Sequence, residues 1–130
     1  MYYVKKRLEI SAAHRLSLSY ESKCTSLHGH NWIITVECRS RELNSDGMVT
    51  DFTHVKQQIH DLLDHAVLND VLPFNPTAEN IARWVVDNVE NAWVPVRYVQ
   101  AVPMQMYQKG IRYPETGVTG DCELLRGCCE

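Results

Sequence analysis

The sequence contains no apolar run approaching the ~18–20 residues that a membrane-spanning helix requires, so no transmembrane segment is expected. No secretory leader stands before Tyr2-Tyr3-Val4, which makes a cytoplasmic setting the expectation. Charge of one sign is also scarce. A net charge of −3 and a pI near 6.0 give no electrostatic basis for binding nucleic acid or a membrane surface. The five cysteines (Cys24, Cys38, Cys122, Cys128 and Cys129) are odd in number and lack framework-like spacing. Without an export signal, each thiol is expected to be catalytic, ligating or inert rather than bridged. Internal repeats, linkers and low-complexity stretches are absent. What remains is a single domain over residues 1–130, with 45% hydrophobic and 22% charged residues, long enough to bury a core.

Tyr3, Lys5, Arg7 and Glu9 alternate with Val4, Leu8 and Ile10, the period of a half-buried strand that continues to His14. Ser17 to Lys23 reads as a polar loop. A second strand follows over about His28 to Arg39, then a turn at Asp46-Gly47 across which antiparallel pairing is expected. Asp51 caps a helix whose apolar stripe is Val55, Ile59, Leu62, Leu63 and Ala66, ending around His65. Thr77 caps the next helix, with Glu79 suited to its first turn and Ala78, Ile81, Ala82, Val85 and Val89 on its buried face. A return strand begins at about Val94. Strand at Met104–Tyr107 and Ile111–Tyr113 and an irregular tail from Gly117 complete an α+β pattern, with helices on one face of an antiparallel sheet.

Chemistry concentrates in Cys24-Thr25-Ser26-Leu27-His28-Gly29-His30. On a strand, His28 and His30 leave the same face, which they share with Trp32, Ile34 and Val36. Inward imidazoles need partners, because an unsatisfied buried polar group costs ~1–3 kcal/mol. A zinc ion would satisfy both, and His14, of inward parity at the end of the first strand, is placed to join them. The competing reading is a solvated His-x-His face. Asp64-His65 likewise has two readings. It is a polar pair at a helix end, or a carboxylate orienting an imidazole for acid–base work.

Five motifs in order carry a resemblance: Ile10-Ser11-Ala12-Ala13-His14-Arg15-Leu16, Cys24-x-x-x-His28-Gly29-His30-Asn31-Trp32, Met48-Val49-Thr50-Asp51-Phe52, Leu63-Asp64-His65-Ala66-x-Leu68-Asn69 and Pro76-Thr77-Ala78-Glu79-Asn80. Together they resemble the 6-pyruvoyltetrahydropterin synthase/6-carboxytetrahydropterin synthase family, with the family-like core over about residues 4–100. The resemblance implies a tunnelling fold (T-fold), an antiparallel sheet with two helices that oligomerises into a barrel as a homohexamer, a dimer of trimers. It implies a Zn2+ enzyme, a lyase acting on dihydroneopterin triphosphate, with His14, His28 and His30 as zinc ligands. Cys24 matches the catalytic thiol and Asp64 with His65 its acid–base partners, which can serve a zinc held by a neighbouring chain. The short Cys-x-x-x-His-Gly-His spacing is similar to the carboxy-forming branch of queuosine biosynthesis, which releases acetaldehyde. The alternatives are the pyruvoyl-forming branch of biopterin synthesis and a non-catalytic zinc-binding member; outside the family, a structural zinc module remains.

One departure stands out. The family's pterin-anchoring Glu-Thr is expected near Val102-Pro103, where this chain has no carboxylate. Glu115-Thr116, about a dozen residues later, is the stand-in, reached through an inserted loop or a rearranged tail. A carboxylate there would make charge-assisted bonds to the pterin ring.

Overall fold

A computed structural model describes residues 1–89 with their side chains and, as backbone alone, residues 90, 96–103 and 118–119. In chain order the elements are β1 (Tyr2–His14), β2 (His28–Ser40), α1 (Phe52–Leu63), β3 (Ala66–Val67), α2 (Leu68–Val71), α3 (Ala78–Glu90), β4 (Val96–Pro103) and β5 (Val118–Thr119). A turn of 3-10 helix, Lys23–Thr25, lies between β1 and β2.

The alternation of β1 and β2 organises everything else. The strands pair antiparallel in unbroken register, from Tyr2 opposite Ser40 to His14 opposite His28. Leu8, Ile10, Ala12 and His14 turn to one face together with Trp32, Ile34, Val36 and Cys38, and all are buried. Arg7, Glu9, Ser11 and Asn31 turn to the other face and are exposed. The helices cover the inner face. Asp51 caps α1 by accepting the Thr53 N–H at 2.8 Å, and Val55, Ile59 and Leu63 point into the core. Thr77 Oγ1 accepts the Asn80 N–H at 3.1 Å at the start of α3, whose Ala78, Ile81, Ala82, Val85 and Val89 join the same cluster. Full burial of one such aliphatic side chain contributes ~1.5–3 kcal/mol.

The sheet is mixed rather than wholly antiparallel, in the order β3-β1-β2-β4-β5. β4 pairs antiparallel with β2, whereas β3 runs parallel to β1 and β5 parallel to β4. The Asp46-Gly47 turn does not open a hairpin. Asn44 Oδ1 accepts the N–H groups of Asp46 and Met48, both at 3.0 Å, and the chain passes directly to the α1 cap. α1 stops at Leu63, so Ala66 belongs to β3 rather than to the helical stripe, and Leu62, within α1, is 52% exposed. Val118–Thr119 is strand, where an irregular tail is expected. The strands expected at Met104–Tyr107 and Ile111–Tyr113, along with Glu115, lie outside the described residues.

Beyond His14 two asparagines continue the edge of β1. Asn69 accepts the Arg15 N–H at 2.8 Å and donates to its carbonyl at 2.9 Å. Asn75 does the same for Ser17, at 2.8 and 3.0 Å. Each side-chain amide thus supplies the donor and acceptor that a neighbouring strand would offer.

Candidate metal and acid–base site

The register of β1 and β2 brings the histidines together. His14 stands opposite His28 and Ala12 opposite His30, so the three imidazoles share the inner face at one end of the ladder. Their ring centroids lie 4.5, 5.3 and 4.9 Å apart, and their ligand nitrogens fall within 4.8 Å of one another. Trp32 closes the inner side, edge-on to His14 at 5.0 Å and to His30 at 5.4 Å. Its indole N–H donates to the Ala12 carbonyl at 3.3 Å, which fixes the ring.

Two backbone carbonyls orient the ligands. His14 Nδ1 lies 2.9 Å from the Pro76 carbonyl and His28 Nδ1 lies 2.7 Å from that of Ser26. A carbonyl only accepts, so each Nδ1 carries a proton, and Nε2 is the nitrogen of each ring that can face a metal. His14 Nε2 is buried without a hydrogen-bond partner. Burial, with the neighbouring imidazoles adding to it, lowers the pKa of His14 and of His30 to about 4; the Pro76 bond opposes the shift at His14. Imidazoles oriented by backbone carbonyls are a donor set that zinc takes, and three of them leave its fourth position open. The residues fit the metal.

Cys24 sits on the 3-10 turn, 1% exposed and within the hydrophobic core cluster. Its carbonyl accepts the Leu16 N–H at 2.7 Å, tying the turn to the chain just beyond His14. Its sulfur is disulfide-bonded, contrary to the expectation of an unbridged thiol, so thiolate chemistry belongs to the reduced chain.

Asp64 and His65 follow α1. Asp64 Oδ1 accepts the Ser11 N–H at 2.8 Å, and its Oδ2 lies 3.5 Å from His65 Nε2. The Ser11 bond, aided by His65 and His60, holds the Asp64 carboxyl below the usual carboxylate range. His65 has φ of 58°, a left-handed backbone that histidine adopts more readily than most residues. Its N–H donates to the Ser11 carbonyl at 2.7 Å, and the ring is 84% exposed. His65, Ser11, Ala13, Gly29 and Asn31, together with His30, line a groove of about 540 Å³. By strand parity Ser11, Ala13, Gly29 and Asn31 belong to the face opposite the imidazoles. The groove also reaches His30, so His65 and one imidazole of the cluster open onto the same space at the end of the β1–β2 ladder.

Sequence reasoning missed three parts of this arrangement: the Pro76 carbonyl behind His14, the Ser11 backbone that grips both Asp64 and His65, and His60. His60 lies one helical turn before Asp64, a spacing visible in the sequence; the other two depend on the fold.

Comparison with known proteins follows the same lines. The family model described as 6-pyruvoyl tetrahydropterin synthase matches residues 3–108. A 6-carboxy-5,6,7,8-tetrahydropterin synthase from Synechocystis is 38% identical over 104 residues, covering 73% of this chain and 80% of that protein. The Bacillus subtilis protein of the same name is 31% identical over 94 residues, 67% of this chain and 64% of its own length, so the chain spans a little under two thirds of that relative. Among solved structures, the Caenorhabditis elegans 6-pyruvoyl tetrahydropterin synthase superposes with a TM-score of 0.56 at 27% identity, over 69% of this chain and 77% of that one.

Proposed function

The chain belongs to the 6-pyruvoyl tetrahydropterin synthase family, and from that premise we propose that it is a zinc-dependent carbon–carbon and carbon–oxygen lyase of the 6-carboxytetrahydropterin synthase type. Its substrate is 7,8-dihydroneopterin triphosphate, converted to 6-carboxy-5,6,7,8-tetrahydropterin with release of acetaldehyde and triphosphate, a step toward queuosine. The names of the Synechocystis and Bacillus relatives favour this branch, as does the Cys24-x-x-x-His28-Gly29-His30 spacing. The observation that carries the reading is the buried, unpartnered Nε2 of His14 within a group of three imidazoles.

His14, His28 and His30 would hold the metal, with the Pro76 and Ser26 carbonyls fixing the rings of His14 and His28. Bound zinc would act as a Lewis acid on substrate oxygens and acidify the adjoining C–H group. Cys24, when reduced, takes a proton from the side-chain carbon next to the pterin ring. Asp64 stays ionised and orients His65, which exchanges a proton with the substrate as the triphosphate departs. Glu115, outside the described residues, is the proposed anchor of the pterin ring. As the family resemblance implies, we assign Asp64 and His65 of one copy to the zinc of a neighbour, in a homohexamer built as a dimer of trimers.

The test is turnover by the zinc-loaded, reduced protein, with acetaldehyde and the pterin product followed together by mass. Acetaldehyde with a carboxypterin is the expected result. A pyruvoyl product without acetaldehyde would move the chain to the other branch, and bound zinc with no product would leave a non-catalytic member.

A further inference from the structure

His60 belongs to no motif of the family resemblance, yet the structure sets it in the acid–base group. It occupies the last turn of α1, and the Asp64 N–H donates to its carbonyl at 2.9 Å. The ring stands between two carboxylates. Nε2 lies 3.6 Å from Asp64 Oδ2, and Nδ1 lies 3.5 Å from Asp61 Oδ1. When protonated, it presents an N–H to each of them. The side chain is 27% exposed, against 84% for His65.

Asp64 Oδ2 therefore faces two imidazoles whose situations differ. His65 is open to solvent and lines the groove, so it must be free to turn toward a substrate. A contact to a moving ring cannot hold a carboxylate still. His60 is anchored by the helix and braced by Asp61, while Ser11 secures the other oxygen at 2.8 Å. We propose that His60 is a positioning residue of the Asp64–His65 pair, keeping Asp64 Oδ2 aimed at His65 while that ring moves between carboxylate and substrate. The proposal rests on the reading that the pair takes part in turnover. Among the described residues, the charged groups recorded against His60 are Asp61 and Asp64, both at the end of α1; those against Asp64 are His60 and His65, with the Ser11 N–H meeting it from β1.

The experiment is a double-mutant cycle on the reduced, zinc-loaded full chain with dihydroneopterin triphosphate, using H60A, H60Q, D64N and H60A/D64N. A partly exposed charged contact of this length predicts that H60A lowers kcat by roughly threefold to tenfold, with KM and bound zinc unchanged. H60Q, whose amide can still donate to Asp64, should recover most of the loss. In the D64N background the removal of His60 should cost nothing further. Full activity in H60A, or the same loss with and without the Asp64 carboxylate, overturns the proposal; the second outcome would mark His60 as a helix-end residue only. If the unsubstituted protein turns nothing over, the catalytic reading fails separately, and the position of the Asp64 carboxylate then decides. Crystal structures of the parent and H60A should show Asp64 Oδ2 held in one place beside His65 in the parent and spread over more than one rotamer in H60A. A single, unmoved Asp64 carboxylate in H60A overturns the proposal in that case.

Discussion

Replacing His14 by alanine separates the metal site from the fold that carries it. The ring is fully buried and its Nδ1–H bonds the Pro76 carbonyl at 2.9 Å, so truncation removes a buried hydrogen bond worth ~1 kcal/mol and leaves a buried carbonyl unsatisfied. Against this, the metal-free protein already carries an orphaned Nε2, which by itself costs ~1–3 kcal/mol and which the substitution deletes. The two effects oppose each other, so the metal-free variant should lie within about 2 kcal/mol of the parent. The metal-loaded forms should differ much more. Zinc at a hundredfold excess over its dissociation constant stabilises the native state by about 2.7 kcal/mol, which for a domain of this size raises Tm by about 10 °C. Thermal melts with and without zinc, beside a metal count per chain, measure both quantities. The parent should show the rise and bind one zinc per chain, and His14→Ala should melt close to the metal-free parent with no rise. A zinc-dependent shift of equal size in both proteins would show that His14 is no ligand, and no shift in either would remove the metal from this site.

Three further outcomes follow from the same geometry. Cys24→Ala, assayed under reducing conditions, should keep its zinc and lose roughly 10²- to 10⁴-fold in turnover; full turnover in this variant would take the proton-transfer role away from the thiol. Asp64 has a folded pKa below its unfolded value of ~3.9, so its contribution to stability is present above that pH and is lost as pH falls through the lower, folded value. Urea titrations between pH 6 and 3 should therefore show a shallower acid loss in Asp64→Asn than in the parent, and identical slopes would refute the Ser11–Asp64 bond as its source. Gly29→Ala should leave folding and zinc content unchanged, because a Cβ there meets nothing within 4 Å, yet it places a methyl group in the groove; the check is a raised KM with an unaltered melting curve.

The strands and the paired helices were legible because each carries a strong period. Val4, Leu8, Ile10 and His14 share one parity, and the structure keeps β1 unbroken to His14. The stripe Ala78, Ile81, Ala82, Val85 and Val89 is buried in full. That the three imidazoles meet was legible as well, since both strands had the right parity and antiparallel pairing did the rest. Short elements were not. β3 and α2 have two and four residues, too few for any period, and β3 exists because Ala66–Val67 can pair with the edge of β1. Ala66 was misplaced because the helix ends at Leu63, two residues before the expected end at about His65, whereas Leu62 lies within α1 and is exposed there. The grip of Ser11 on Asp64 spans 53 residues of sequence, and nothing local announces it.

The imidazole cluster comes from β1 and β2 and the Asp64–His65 pair from the end of α1, and that separation carries a consequence for inheritance. On the proposed shared site, a subunit damaged at His14 still offers an intact Asp64–His65 pair, and a subunit damaged at His65 still offers intact ligands. Two gene copies, each encoding an inactive protein, would then complement one another when expressed together, because some sites in the mixed assembly would draw both halves from undamaged subunits. Loss-of-function alleles in this gene would sort into two groups, complementing across groups but not within them, one group falling on the strand histidines and the other on the Asp64–His65 pair.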